Sequence, residues 1–200
     1  IGDQLLIGSH GVVDVSGGGG VRIGSGDAPS PQSIVVGPSG LLGGSGTIFG
    51  DVQNTGGTVS PGFSPGALTI HGNYTQNPAG SLVLQIGGTV AGLGYDQLTV
   101  TGNLVLNGVV TLSFINGYVP HLGEHYDLFH FGGSFNATEA SIQLLNAPSG
   151  VQFSTVAGDG VFTVTAVPEP STLALVGLGG IIFACRWNTA RRNPRKTKPA

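Results

Sequence analysis

His121-Leu-Gly-Glu-His125 is the segment whose residue types come nearest to a catalytic pattern, two histidines flanking a glutamate in the order H-x-x-E-H. That order serves zinc hydrolysis when a helix sets both histidines on one face and the glutamate acts as base beside a metal-bound water. Pro120 and Gly123 oppose a helix, and no third ligand can be nominated on a later one, so the segment reads as a loop between strands. The acids Asp51, Asp96, Asp127, Glu139 and Asp159 are scattered, with no close pair for acid–base work. Gly43–Gly50 lacks the spacing and the following helix of a phosphate cradle, and no Gly-x-Ser-x-Gly elbow precedes a helix. Asn73-Tyr-Thr75 and Asn136-Ala-Thr138 are formal glycosylation sequons, read as incidental, and Cys185 sits in an apolar run where packing is its expected role. No metal site and no cofactor motif emerges.

The other chemistry on offer is that of a substrate. Pro168 and Pro170 remove two backbone donors and keep Pro168-Glu169-Pro170 extended, the form a protease cleft binds. Between Glu169 and Arg186 there is no charge. The 16 residues from Pro170 to Cys185 would span about 24 Å as a helix, against a hydrocarbon core of ~30 Å. Arg186 can snorkel and Trp187 suits the headgroup belt, which lengthens the effective span. Leu173, Leu175, Val176, Leu178, Ile181, Ile182 and Phe183 contribute roughly −2 to −4 kcal/mol towards insertion. Arg186, Arg191, Arg192, Arg195, Lys196 and Lys198 follow and place the C-terminus in the cytoplasm, with the rest of the chain outside.

Val167-Pro-Glu-Pro-Ser-Thr172, the Leu-Ala-Leu-Val-Gly-Leu-Gly-Gly run and the Arg-rich end together resemble the PEP-CTERM sorting signal of Gram-negative envelope proteins. The resemblance covers about 35 residues, with three features in order. It implies recognition by exosortase, a multi-pass membrane peptidase, and then release or transfer of the ectodomain to the cell surface, often in bacteria that make exopolysaccharide. Trp187-Asn-Thr-Ala190 and Asn193-Pro194 interrupt the basic cluster, which is a tighter Arg run in that family.

The elements ahead of this tail are of a different kind. Of 200 residues, 37 are Gly, 12 Pro and one Cys, with only 8% charged, which opposes a helical enzyme and rules out a disulfide framework. The glycines follow no three-residue period, so collagen is excluded, and the Val, Ile, Leu and Phe content opposes disorder. Ile1 to Val167 holds Arg22 alone against nine acids, which speaks against nucleic-acid binding.

Short apolar segments recur at Leu5–Ile7, Val12–Val15, Val21–Ile23, Ile34–Val36, Leu41–Leu42 and Thr47–Phe49, separated by Gly, Ser, Asn or Pro. Longer ones follow at Leu82–Ile86, Leu98–Val100, Leu104–Leu106 and Val110–Phe114, where Val110, Leu112 and Phe114 share one face. Pro61-Gly62 and Pro65-Gly66 are type II turn signals. A loose repeat of about twenty residues carrying three short strands is the arithmetic of a parallel β-helix. Gly44–Gly66 with its Ser-Pro-Gly-Phe-Ser-Pro-Gly core, then Leu68–Gln76, Tyr95–Gly102 and Tyr126–Phe129, resembles the β-helical passenger repeats associated with autotransporters. Gly150–Phe153 and Val161–Thr165 read as a terminal hairpin that would cap such a stack. The strand pattern is already under way at Ile1, as in a fragment lacking its signal peptide and first coils.

The expectation is therefore an all-β chain: a parallel β-helix over 1–130, terminal strands over 131–166, the sorting motif over 167–172, a single short transmembrane helix over 173–187 and a basic cytoplasmic tail over 188–200. Expected partners are an exosortase-type peptidase, membrane lipid, and exopolysaccharide or other envelope material; no cofactor and no catalysis are expected. The alternatives are a polysaccharide lyase or hydrolase on a β-helix, and an envelope protein anchored permanently by its tail.

Overall fold

The computed structural model describes residues 4–7, 11–14, 20–22, 33–62, 65–155 and 160–166, and among them there is no helix. Contacts divide the chain into two units, Ile1–Val167 and Pro168–Ala200, and every described residue belongs to the first. The motif at 168–170, the apolar run at 173–187, the basic tail, Asp159 and Phe63-Ser64 lie outside the described residues.

The first unit is built from strands taken three at a time. Strands β1 (Gln4–Ile7), β2 (Val12–Asp14) and β3 (Gly20–Arg22) each belong to a different sheet. Then β4 (Ser33–Val36), β5 (Leu41–Gly44) and β6 (Thr47–Phe49) pair with them in the same order, all parallel. The next circuit is β7 (Asp51–Asn54), β8 (Thr58–Pro61) and β9 (Ala67–His71). It is followed by β10 (Tyr74–Gln76), β11 (Ser81–Ile86) and β12 (Gln97–Val100). After β13 (Leu104–Leu106) and β14 (Val109–Phe114), β15 (His125–Asp127) leaves the pattern and β16 (Phe129–Phe131) resumes it. The last parallel strands are β17 (Phe135–Asn136) and β18 (Ser141–Leu145). Finally β19 (Gln152–Thr155) and β20 (Val161–Ala166) form an antiparallel pair, and β15 joins the free side of β20.

The registers explain why short apolar segments suffice. A residue facing inward in one circuit lies directly over its counterpart in the next, so Ile34, Val52, Tyr74 and Leu104 stack in one sheet. Leu42, Val59, Leu82 and Val110 stack in the second, and Ile48, Ile70 and Val100 in the third. All of these are at most 1% exposed. Each fully buried aliphatic side chain contributes about 1.5–3 kcal/mol, so three strands of three to six residues per circuit make a continuous core without long elements.

Polar corners hold the circuits in step. Buried Asn54 accepts the N–H groups of Gly56 and Gly57 and donates to Ser81 O. Gln76, one circuit on, donates to Gly80 O and Val109 O and accepts from Tyr74 Oη. At another corner Asp51 Oδ1 accepts from Asn73 N, Asn73 Oδ1 from Asn103 N, and Asn103 Oδ1 from Ser134 N, at 2.7–2.9 Å. These amides satisfy turn donors that no strand can reach.

Thr47–Phe49 and Leu104–Leu106 form strands at the expected bounds, and Val110, Leu112 and Phe114 are buried together. The hairpin expected near the end is β19–β20, with β15 as an unanticipated third strand. Parallel pairing runs past residue 130, through β18 at Leu145, because Phe135, Ile142 and Leu144 continue the inner columns of β13 and β14. Circuit length varies: strands of the first sheet begin at 4, 33, 51, 74, 104 and 135, and the segment 87–96 and the segment around β15 enlarge the two circuits that contain them.

Candidate functional site

Two carboxylates in the first unit are unusual in their surroundings, and they differ in kind. Glu124 precedes β15, so its side chain and that of Tyr126 point one way while His125 points the other. Its Oε2 accepts from Tyr118 Oη at 2.7 Å and Tyr126 Oη at 2.6 Å, and Oε1 lies 2.8 Å from His121 Nδ1. Partial burial works against the charge, but the hydroxyls of Tyr126 and Tyr118 and the His121 ring outweigh it and hold the carboxyl at about 2. His125 Nδ1 instead meets Thr163 Oγ1 at 2.9 Å across the pair with β20. The structure thus brings His121 to Glu124 and sends His125 elsewhere, which is what a strand does to residues one apart. Among the described residues no three His, Cys, Asp or Glu side chains gather to hold a metal ion.

The Glu124 contribution to stability is complete above the ordinary carboxylate range and is lost as pH falls through about 2. Tyr126→Phe should move the Glu124 titration up towards 4.5 and cost about 1–3 kcal/mol, since it removes a hydrogen bond to a charged group. Carboxyl chemical shifts followed between pH 1 and 6 read the first effect; denaturant unfolding reads the second. An unmoved titration would mean that Tyr126 does not hold the charge.

Asp96 is buried without a cation. β8 pairs with β11 only at Ser81 and Leu82, and Pro61 at its end has no N–H with which to continue the ladder towards Gln85. Asp96 takes the vacant place: its N–H donates to Gln85 O, its Oδ2 accepts from Gln85 N at 2.8 Å, and its Oδ1 accepts from Gly66 N at 2.7 Å. The same oxygen closes on Gly62, which holds φ at 107° and has no room for a side chain. Burial pushes the Asp96 carboxyl up to about 7, only partly offset by the N–H groups of Gln85 and Gly66. Gly66 is therefore fastened to β11 by an acid thirty residues downstream of it.

The other acids are held locally. Asp51 serves the Asn73 corner, Asp127 pairs with His130 beside Gln97, and Glu139 is exposed. Sequence reasoning passed over Asp96, whose partners are remote in the chain; the one local signal was Pro61, which forbids continuation of β8 against β11. Asn73, the first sequon asparagine, spends its amide on Asp51, whereas Asn136 is exposed and accepts from Thr138 N and Oγ1.

β20 ends at Ala166, next to the segment that carries Pro168, Glu169 and Pro170. No curated protein matches the chain. Residues 166–192 match the family described as the PEP-CTERM protein-sorting motif. The match takes in Pro168–Pro170, the whole apolar run and three of the six basic residues, Arg186, Arg191 and Arg192. It supports an exported, envelope-associated protein sorted by exosortase, the membrane protease that recognises such signals.

Proposed function

We propose that this chain is a bacterial surface protein whose first unit is a structural or adhesive body and whose tail is a temporary anchor. In this reading the three interleaved parallel sheets are the faces of a β-helix of the autotransporter-passenger kind, closed at one end by β15, β19 and β20. Leu173, Leu175, Val176, Leu178, Ile181, Ile182 and Phe183 hold the tail in the inner membrane as a short helix, with the Arg and Lys residues from Arg186 onward in the cytoplasm. Exosortase reads Pro168-Glu169-Pro170 and cuts near it, and the body passes to the surface, associating with exopolysaccharide or other envelope material without catalysis of its own. The observation that carries the reading is the match at 166–192, which begins where the first unit ends at Val167.

The test tags the body and the C-terminus separately in a host with and without an active exosortase, and measures intact mass in membrane and medium. The expected product is shorter by about 30 residues, and appears only with active peptidase and intact Pro168–Pro170. Replacing Pro168, Glu169 and Pro170 by Ala should leave the full chain in the membrane. A full-length product in the membrane under every condition would make the tail a permanent anchor and end the sorting reading.

A further inference from the structure

The last strand of the second sheet, β18, is paired on one side only, with β14. All five of its residues are exposed. Ile142 and Leu144 continue the inward columns of Val110 and Leu112, yet stay 44% and 39% exposed because no described strand lies over them. Leu145, on the opposite face, is 51% exposed. Exposed edges in natural sheets are commonly blunted by charge, by Pro or by a bulge. Here there is no charged residue between Glu139 and Asp159, and no Pro within the strand.

We infer that β18 is a self-association edge, and that a second copy of this chain adds its own β18 antiparallel to it about a two-fold axis at Gln143. Backbone direction fixes the register. Ser141 N donates to Gly108 O, so Ser141, Gln143 and Leu145 turn their backbone groups towards β14, and Ile142 and Leu144 turn theirs to the open edge. A two-fold axis at Gln143 sets Ile142 against Leu144 of the second copy, where each pair exchanges two N–H···O bonds. The inward columns then run from one copy into the other, Leu112 and Leu144 meeting Ile142 and Val110 of the second copy. The first unit carries nine acids against Arg22, so like charges oppose the approach of two copies, and that opposition is least at the uncharged stretch that holds β18. A five-residue strand pair falls well short of the ~800 Å² per partner of a standard interface, so the contact is weak in dilute solution and gains force when copies are held on one surface. The inference rests on β18 alone and stands whether or not the tail is cut.

The test is disulfide trapping of the full chain in detergent micelles, in a Cys185→Ser background. Gln143 would form the non-hydrogen-bonded pair at the axis, where side chains come closest. Gln143→Cys should give at least ~10-fold more disulfide dimer under mild oxidation than Gln53→Cys, an exposed control on another sheet that reports micelle-driven encounters. Adding Ile142→Pro, which removes an N–H facing the open edge and leaves the β14 ladder intact, should abolish that excess while the thermal transition is kept. Equal trapping at both positions, or trapping indifferent to the proline, would overturn the inference. So would a Gln143→Cys thiol shielded from both oxidant and maleimide, which would mean that other residues of the same chain cover the edge.

Discussion

Gly108→Ala should lower the stability of the first unit by about 3 kcal/mol. Gly108 sits at the corner before β14, where the chain of one circuit crosses directly over the previous one. A Cβ there would fall inside the contact radius of Gly80 O and 2.7 Å from both Asn77 O and Gln76 Nε2. Backbone cannot yield as a side-chain end can, so the two circuits must part. Parting them strains Val109 N to Gly80 O at 3.1 Å and Gln76 Nε2 to Val109 O at 3.0 Å, and the second loss leaves a buried amide short of a partner. Gly117→Ala is the control: φ is 67° but nothing lies within 4 Å, so only the local conformational cost of about 1 kcal/mol applies. Denaturant unfolding of the two variants should rank them in that order. Equal losses would show that steric contact at the corner is not what demands glycine.

The second large effect is expected at Asp96. Asp96→Ala leaves Gly66 N and Gln85 N buried without their acceptor, at about 1–3 kcal/mol each, a substantial part of the ~5–15 kcal/mol that holds a domain folded. The pH dependence has a definite sign. The folded-state carboxyl titrates at about 7, above its ordinary 3.8, so its contribution is complete below about pH 4 and is lost as pH rises through about 7. Unfolding measured at pH 4 and pH 8 should show the native chain ahead of Asp96→Ala by more at the lower value. A gap that widens with pH would mean that the ionised form is the one the N–H groups hold.

The strands were legible wherever a segment alternates around its own centre. Val110-Thr-Leu-Ser-Phe114 announces its buried face because each inward residue is apolar and the two between are small and polar. Asp51–Asn54 and Tyr74–Gln76 were harder, since Asn54 and Gln76 occupy inward positions that a hydropathy pattern reads as outward. They are tolerated because each amide bonds both its own corner and the next circuit, at Ser81 O and Val109 O, and the second bond lies outside any local window. β18 was hidden for the opposite reason: Ser141–Leu145 carries the apolar residues of a core strand but no turn signal before it. At the candidate site, His121-Leu-Gly-Glu-His125 suggested a ligand set by residue type, and it took the strand geometry of β15 to show that Glu124 belongs with Tyr118 and Tyr126. The tail motif was readable throughout, because Pro-Glu-Pro, an uncharged run and a basic end act in sequence order and need no fold to bring them together.

The pairing of each strand with one a full circuit away sets the tempo of folding. No strand can pair with its parallel neighbour until the chain has passed through strands of the other sheets, so nearly every stabilising contact closes a long loop, and folding should be slow and stepwise rather than concerted. A chain crossing a membrane from its N-terminal side would lay each new circuit on a finished one, with the earlier strands serving as template. The antiparallel sheet of β15, β19 and β20 departs from this pattern, and within it β15 has a partner, β20, that begins only at Val161, after the last parallel strands have been made. The three residues of β15 therefore wait longest for a partner, and closure of that small sheet is the last pairing among the described strands.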